Sequence, residues 1–230
     1  PNTIFSYACL MDHDGMFKQN HKEAMTFYKI AADLGHINAM ELYSLLLPQT
    51  PENYKEIERY LQMAIDKGSD SAMFKMALNY EKGDPFPKDL NKAFQYHKMA
   101  ADHGNMHSMN RIGFMYQKGE GVEVNYSEAM KFFEMSANKG NEDALVDIGN
   151  MYFEGQGVET NPQKACEYYK KAIERGSVEA MCNYALMNKK GLGIPVNYEE
   201  AMKYYKMAAD NGVSEAIVDI GNMYLQGLGV

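Results

Sequence analysis

Apolar side chains recur along this chain at steps of three and four, in pairs of short runs parted by glycine-bearing breaks. Between Gly104 and Gly140 the first run passes through Met109, Ile112, Gly113 and Tyr116, and the second through Ala129, Phe132, Phe133, Ser136 and Ala137. That spacing puts each set on one face of an α-helix. The break Gly119-Glu-Gly121-Val122 ends the first run, and Gly140 stands where a left-handed cap would close the second. The stretch is therefore a pair of short helices, here A and B.

The same stretch returns along the chain. Gly68, Gly104, Gly140, Gly176 and Gly212 stand in register at a period of 36, and Gly35 joins if one spacing shortens to 33. Counting by that period predicts A helices over 3–13, 37–47, 70–82, 106–118, 142–154, 178–190 and 214–226. The B helices fall over 21–34, 54–67, 90–103, 126–139, 162–175 and 198–211. A fixed period of this size marks an all-α solenoid of stacked helix-turn-helix units. Residues 1–230 then form one array of about six repeats plus a partial seventh. The array stops at Gly227-Leu-Gly-Val230 before a further B helix, which predicts that the chain is a fragment of a longer protein.

Two sets of columns make the helices explicit. Asn20, Asn53, Asp89, Asn125, Asn161 and Asn197 precede the B helices, with Glu23, Glu56, Glu128 and Glu200 three positions on and Pro162 at a first helical position. Side chains of this kind accept from the free amides of the first turn, and the glutamate is expected to reach back to the cap. Asn125-Tyr-Ser127 also spells a glycosylation sequon, but a cap shared by six units accounts for its asparagine. In helix A, Ala8, Ser44, Ala77, Gly113, Gly149, Ala185 and Gly221 are all small; in helix B, Phe27, Tyr60, Tyr96, Phe132, Tyr168 and Tyr204 are all aromatic. The expected arrangement seats each ring in the space that its small partner leaves.

Composition narrows the function. The formal net charge is −8, spread without blocks of one sign, so no basic stripe is offered to nucleic acid. No apolar run reaches the ~18 residues of a membrane span. Cys9, Cys166 and Cys182 form neither a disulfide framework nor a zinc pattern, which points to a reducing compartment and a cytoplasmic location.

The columns, taken together, resemble the Sel-one-like repeat family, a relative of the tetratricopeptide repeats with a longer link between its helices. The likeness lies in Ala144-x-x-x-Ile148-Gly149-x-x-Tyr152-x-x-Gly155-x-Gly157-Val158, followed by Lys164-Ala165-x-x-Tyr168-Tyr169-x-Lys171-Ala172-x-x-x-Gly176. It covers essentially the whole chain. The link is intact at Gly119, Gly155 and Gly227 and conservatively changed at Gly191-Leu-Gly193-Ile194. It is altered at Gly83-Asp-Pro-Phe-Pro and shortened by three at Leu46-Leu-Pro48-Gln-Thr-Pro51, where a local change of twist is expected. The resemblance implies a right-handed superhelix whose A helices line the concave side. It also implies a protein-protein interaction scaffold, with a structural subunit of a large assembly, or a lumenal or secreted quality-control scaffold, as alternatives.

No residue set suggests catalysis or a cofactor. His13, His21, His36, His97, His103 and His107 show no metal spacing, Asp12-His13-Asp14 reads as a solvated turn, and the repeated link glycines lack the strand and lysine of a phosphate loop. Met109, Met115, Met151, Met181, Met187 and Met223 read as core filling. One helix A stripe varies while its neighbours stay fixed. It runs through His107, Arg111, Phe114 and Lys118; Asp143, Asp147, Asn150 and Glu154; Glu179, Asn183, Leu186 and Lys190; and Glu215, Asp219, Asn222 and Gln226. A column freed from packing can be tuned to a partner. Arg111, Phe114, Asp147, Asn150, Asn183, Asp219 and Asn222 are therefore the candidate contacts for another protein or an extended peptide.

Overall fold

A computed structural model describes residues 1–12 and 21–229, so Asn20 and the expected turn at His13 and Asp14 lie outside the described residues. Thirteen α-helices and no strand occur among the described residues. They are α1 (Asn2–Asp12), α2 (His21–Asp33), α3 (Ile37–Leu46), α4 (Tyr54–Asp66), α5 (Asp70–Lys82), α6 (Leu90–Asp102) and α7 (Met106–Lys118). Then follow α8 (Tyr126–Asn138), α9 (Glu142–Glu154), α10 (Pro162–Glu174), α11 (Val178–Lys190), α12 (Tyr198–Asp210) and α13 (Ser214–Leu225). Each predicted element is present within a residue or so of its expected bounds.

The caps explain why the ends fall so regularly. Asp89, Asn125, Asn161 and Asn197 each accept a hydrogen bond from the amide three residues on. Asn53 does not; its side-chain amide turns back to Pro48 O at 3.0 Å and Thr50 Oγ1 at 3.2 Å, closing the shortened link. The glutamates have other partners: Glu128 meets Lys131, Glu200 meets Lys203, and Glu56 meets Lys29. They have little to cap, because the amides of Asp89, Asn125, Asn161 and Asn197 already donate to the carbonyls of Tyr80, Tyr116, Tyr152 and Asn188. The A helices carry a second set of caps, His36, Ser69, Asn105, Asn141 and Ser177.

Contacts divide the chain into two units, residues 1–108 with 120–122 and residues 109–119 with 123–230. In the first, B helices lie side by side: the Tyr60 hydroxyl of α4 donates to Asp33 of α2 at 2.6 Å, and Lys29 of α2 meets Glu56 of α4 at 2.6 Å. A helices do likewise, since Ser69 before α5 bonds Glu41 of α3 and Asn105 before α7 donates to Asp70 of α5 at 3.0 Å. His97 fills a core position in this unit, bonded to Ser108 and Glu81. In the second unit Arg175 of α10 donates to the Ala137 carbonyl of α8 at 2.7 Å, and Lys189 of α11 pairs with Asp219 of α13 at 3.1 Å. Each unit is thus two layers, A beside A and B beside B.

The small column meets a different aromatic column from the one expected. A Cβ on Gly113 would lie 2.5 Å from the Phe133 ring, and one on Gly149 would lie 2.6 Å from the Tyr169 ring. The rings that use the missing side chains are therefore one residue further along helix B, in the column of Tyr28, Leu61, His97, Phe133, Tyr169 and Tyr205, all buried. The all-aromatic column faces other rings of helix A instead. Tyr96, Phe132 and Tyr168 stack on Tyr80, Tyr116 and Tyr152, whereas Phe27, Tyr60 and Tyr204 take Tyr7, Tyr43 and Tyr184 edge-on. The second group of A tyrosines sits one helical turn before the first, so the same contact is made from either of two positions. The six helix A methionines are buried core residues.

Second link glycines press on the preceding repeat. A Cβ on Gly121 would strike the Leu90 carbonyl at 2.4 Å, and one on Gly157 would strike Tyr126 Cβ at 2.3 Å. Gly193 lies as close to Pro162, and Gly229 to Tyr198. Each link therefore rests on the first turn of the preceding B helix. At the altered link, buried Pro85 and Phe86 replace the glycine and valine, and Phe86 packs on Tyr80.

Candidate functional site

The variable stripe divides into buried, engaged and open positions. On α7, Arg111 is half-buried, and Phe114 turns its ring edge-on to Phe133 at 5.3 Å as part of the core packing. On α9, Asp147 is only 8% exposed, which runs against the expectation of a column free of packing. Asn150, one turn on, accepts from the Tyr169 hydroxyl at 2.7 Å. On α13, Asp219 is held by Lys189 and Asn222 is open.

Two of the seven candidates come together. Asn150 of α9 and Asn183 of α11 line a cleft of about 190 Å³, with Glu154 and Leu186 from the wider stripe and with Phe153, Tyr169, Met187 and Leu192. Tyr169 of α10 forms its floor and remains a neutral donor, because burial pushes its phenol well above the ordinary range. Four lining residues lay outside the stripe: Phe153, Tyr169, Met187 and Leu192. Two had a readable signal. Leu192 stands where the earlier links carry Asp84, Glu120 and Gln156 and the last carries Leu228, and Phe153 stands in a column that holds Glu81, Gln117 and Lys189 and, at its end, Leu225. An apolar residue that replaces polar ones at an exposed position is informative.

On α9, the Asp147 carboxyl is pushed up to about 7, chiefly by burial, and further by the negative charges of Glu179 and Asp143; Asn110 of α7 opposes this through a hydrogen bond. Asp147 Oδ2 and Asn110 Oδ1 are both buried without a hydrogen-bond partner. Cys166, set against Met187 at 3.4 Å, has its thiol pushed up to about 11 by burial, the opposite of a reactive thiolate. His103 bonds the Met99 carbonyl while His107 faces Phe74, so the two do not share a ligand position. Among the described residues no three His, Cys, Asp or Glu side chains converge as a metal site would require, and no helix is long and apolar enough to cross a membrane.

Paired helices, repeated caps and a surface with a shallow cleft define a helical-repeat protein of the kind that presents a face to other proteins. The sequence matches the Sel1 repeat model over residues 6–36, 70–105, 107–141, 142–177, 178–213 and 214–230, and the chain belongs to that family. The longest unmatched stretch, 37–69, contains the shortened link. Among solved structures, the Sel1 repeat protein from Oxalobacter formigenes aligns with a TM-score of 0.84 at 24% identity, over 97% of this chain and 91% of that one. The protective antigen c5321 of uropathogenic Escherichia coli, described as displaying an SLR fold, aligns at 0.51 and 22% identity, over 98% of this chain and 57% of that one. The immunity protein Pa5087 of Pseudomonas aeruginosa aligns at 0.54 and 16% identity, over 91% of this chain and 81% of that one. These likenesses are of fold. No curated protein matches the sequence. Sel1 repeat proteins are generally non-catalytic scaffolds for protein-protein interaction.

Proposed function

We propose that the chain is a non-catalytic adaptor whose repeats act as one array and whose A helices seat an extended segment of another protein across the α9–α11 cleft. The carrying observation is the cleft itself. Its volume of about 190 Å³ is below the ~300–1,000 Å³ usual for a small-molecule pocket, which suits one side chain of a longer ligand. Phe153, Leu186 and Leu192 would receive that side chain. The Asn183 amide, and the Asn150 amide nitrogen left over once its oxygen is bonded to Tyr169, would meet the ligand's backbone groups.

The test is affinity capture with the wild-type chain and with a Leu186→Glu, Asn183→Ala double variant, read by mass spectrometry. Both substituted positions are half-exposed, so helicity by circular dichroism should persist while recovery of the specific partner falls. Equal recovery with both baits would rule out the cleft as the seat.

A further inference from the structure

Asp147 is a buried stripe residue that does not line the cleft. A buried carboxylate is costly unless it is paired, yet the two charges that act most on this one, Asp143 of α9 and Glu179 of α11, are both negative. From α7 comes Asn110, and from α10 comes the phenol of Tyr169, which feels the Asp147 charge in turn. Asp147 and Asn110 are 8% and 9% exposed, and each has an oxygen without a donor. Two buried acceptor oxygens are without donors, and the exposed carboxylates that act on Asp147, Asp143 and Glu179, add negative charge to them; a cation bearing N–H groups would suit both. A compact metal ion does not suit the arrangement, because these carboxylates do not converge to metal-ligand distances.

We propose that Asn110, Asp143, Asp147 and Glu179 receive one cationic side chain, lysine or arginine, of a basic partner peptide. The proposal rests on the reading that the A helices seat a peptide, and it names that peptide's chemistry. Asp143 and Glu179 hold the cation at the rim, and Asp147 lies behind them as the buried counter-charge. A bound cation favours the ionised form of Asp147, so binding releases the proton that this carboxyl holds below about pH 7. Affinity therefore rises with pH until Asp147 is ionised in the free protein, and then levels.

The experiment measures fluorescence anisotropy of labelled hexalysine and, separately, labelled hexaarginine with the whole chain at pH 5.5 and pH 8. The variants are Asp147→Asn, Glu179→Gln and a reference, Glu167→Gln, on the exposed face of α10. Wild type should bind one or both probes about tenfold more tightly at pH 8 than at pH 5.5, and the tighter probe identifies the cation. Asp147→Asn should lose about tenfold at pH 8 together with most of the pH dependence. Glu179→Gln should lose about as much affinity, and Glu167→Gln less than twofold. Asp147→Asn removes a buried charge without changing shape, so its fold is not at risk. Equal losses in all three variants would mean diffuse attraction to an acidic protein and would overturn the proposal, as would an Asp147→Asn chain with wild-type affinity and pH profile. Either result leaves the capture experiment with the cleft variant unaffected, so the cation site can fail while the adaptor reading stands.

Discussion

Placing the same methyl group at two positions of the small column should have opposite effects. At Gly149 a Cβ would lie 2.6 Å from Tyr169 Cε1, 2.9 Å from Cδ1 and 3.2 Å from Cζ, against a ring that is buried and tied through its hydroxyl to Asn150. Contacts that short require the ring or the helix to move, and overpacking of this kind costs roughly 1–3 kcal/mol. Alanine also returns about 1 kcal/mol over glycine in a helix. Gly149→Ala is therefore neutral to destabilised by about 2 kcal/mol. At Gly221 no atom lies within 4 Å, so the helical gain stands alone and Gly221→Ala is stabilised by up to about 1 kcal/mol. The propensity gain is common to both, and the difference between the variants isolates the contact at about 1–3 kcal/mol. Urea unfolding followed by far-UV circular dichroism measures it, with equal m-values required because repeat arrays can lose two-state behaviour. In a Tyr169→Leu background the Gly149 penalty should largely vanish. Equal shifts of Gly149→Ala and Gly221→Ala in the wild-type background would refute the close approach of α9 and α10.

Three further predictions concern single polar side chains. The Asp147 carboxyl titrates at about 7 in the folded chain against an ordinary value of 3.8. Its contribution is thus fully present below about pH 4 and is lost as pH rises to about 7, by up to about 4 kcal/mol. Asp147→Asn should flatten that decline and exceed wild type in urea midpoint at pH 8, and parallel curves for the two chains would contradict the burial argument. Asn197→Ala removes a working cap and should cost about 1 kcal/mol, with lost amide protection in the first turn of α12. Asn53→Ala should leave the first-turn amides of α4 unchanged and loosen residues 48–53 instead, as hydrogen exchange would report.

The helices and their ends were readable in the sequence because each depends on local chemistry repeated many times over. Caps, link glycines and apolar spacing at 36-residue intervals leave little freedom in where α5 to α13 begin and stop. Ring packing was less legible. Phe132 and Phe133 are adjacent aromatics, and which of them meets Gly113 depends on how the two helices are rotated about each other, which column identity does not encode. Asp147 was misplaced for a related reason: its column also holds Arg111, Asn183 and Asp219, so it reads as open surface, while the structure buries it beside Asn110 of α7. The cleft was half legible. Asn150 and Asn183 lie in the stripe, but Tyr169 reaches the site from the opposite layer, across the space that Gly149 leaves.

The seating of Gly121, Gly157, Gly193 and Gly229 against the preceding B helix bears on how such chains can change in length. A residue gained or lost inside a link disturbs two hairpins, whereas duplication of a complete period reproduces every joint. Growth in whole modules is therefore the permitted route, and neighbouring modules should open together when the chain is pulled or heated. The short link at 48–53 shows what an exception requires: a separate set of bonds, made by Asn53 with Pro48 and Thr50, to close the gap.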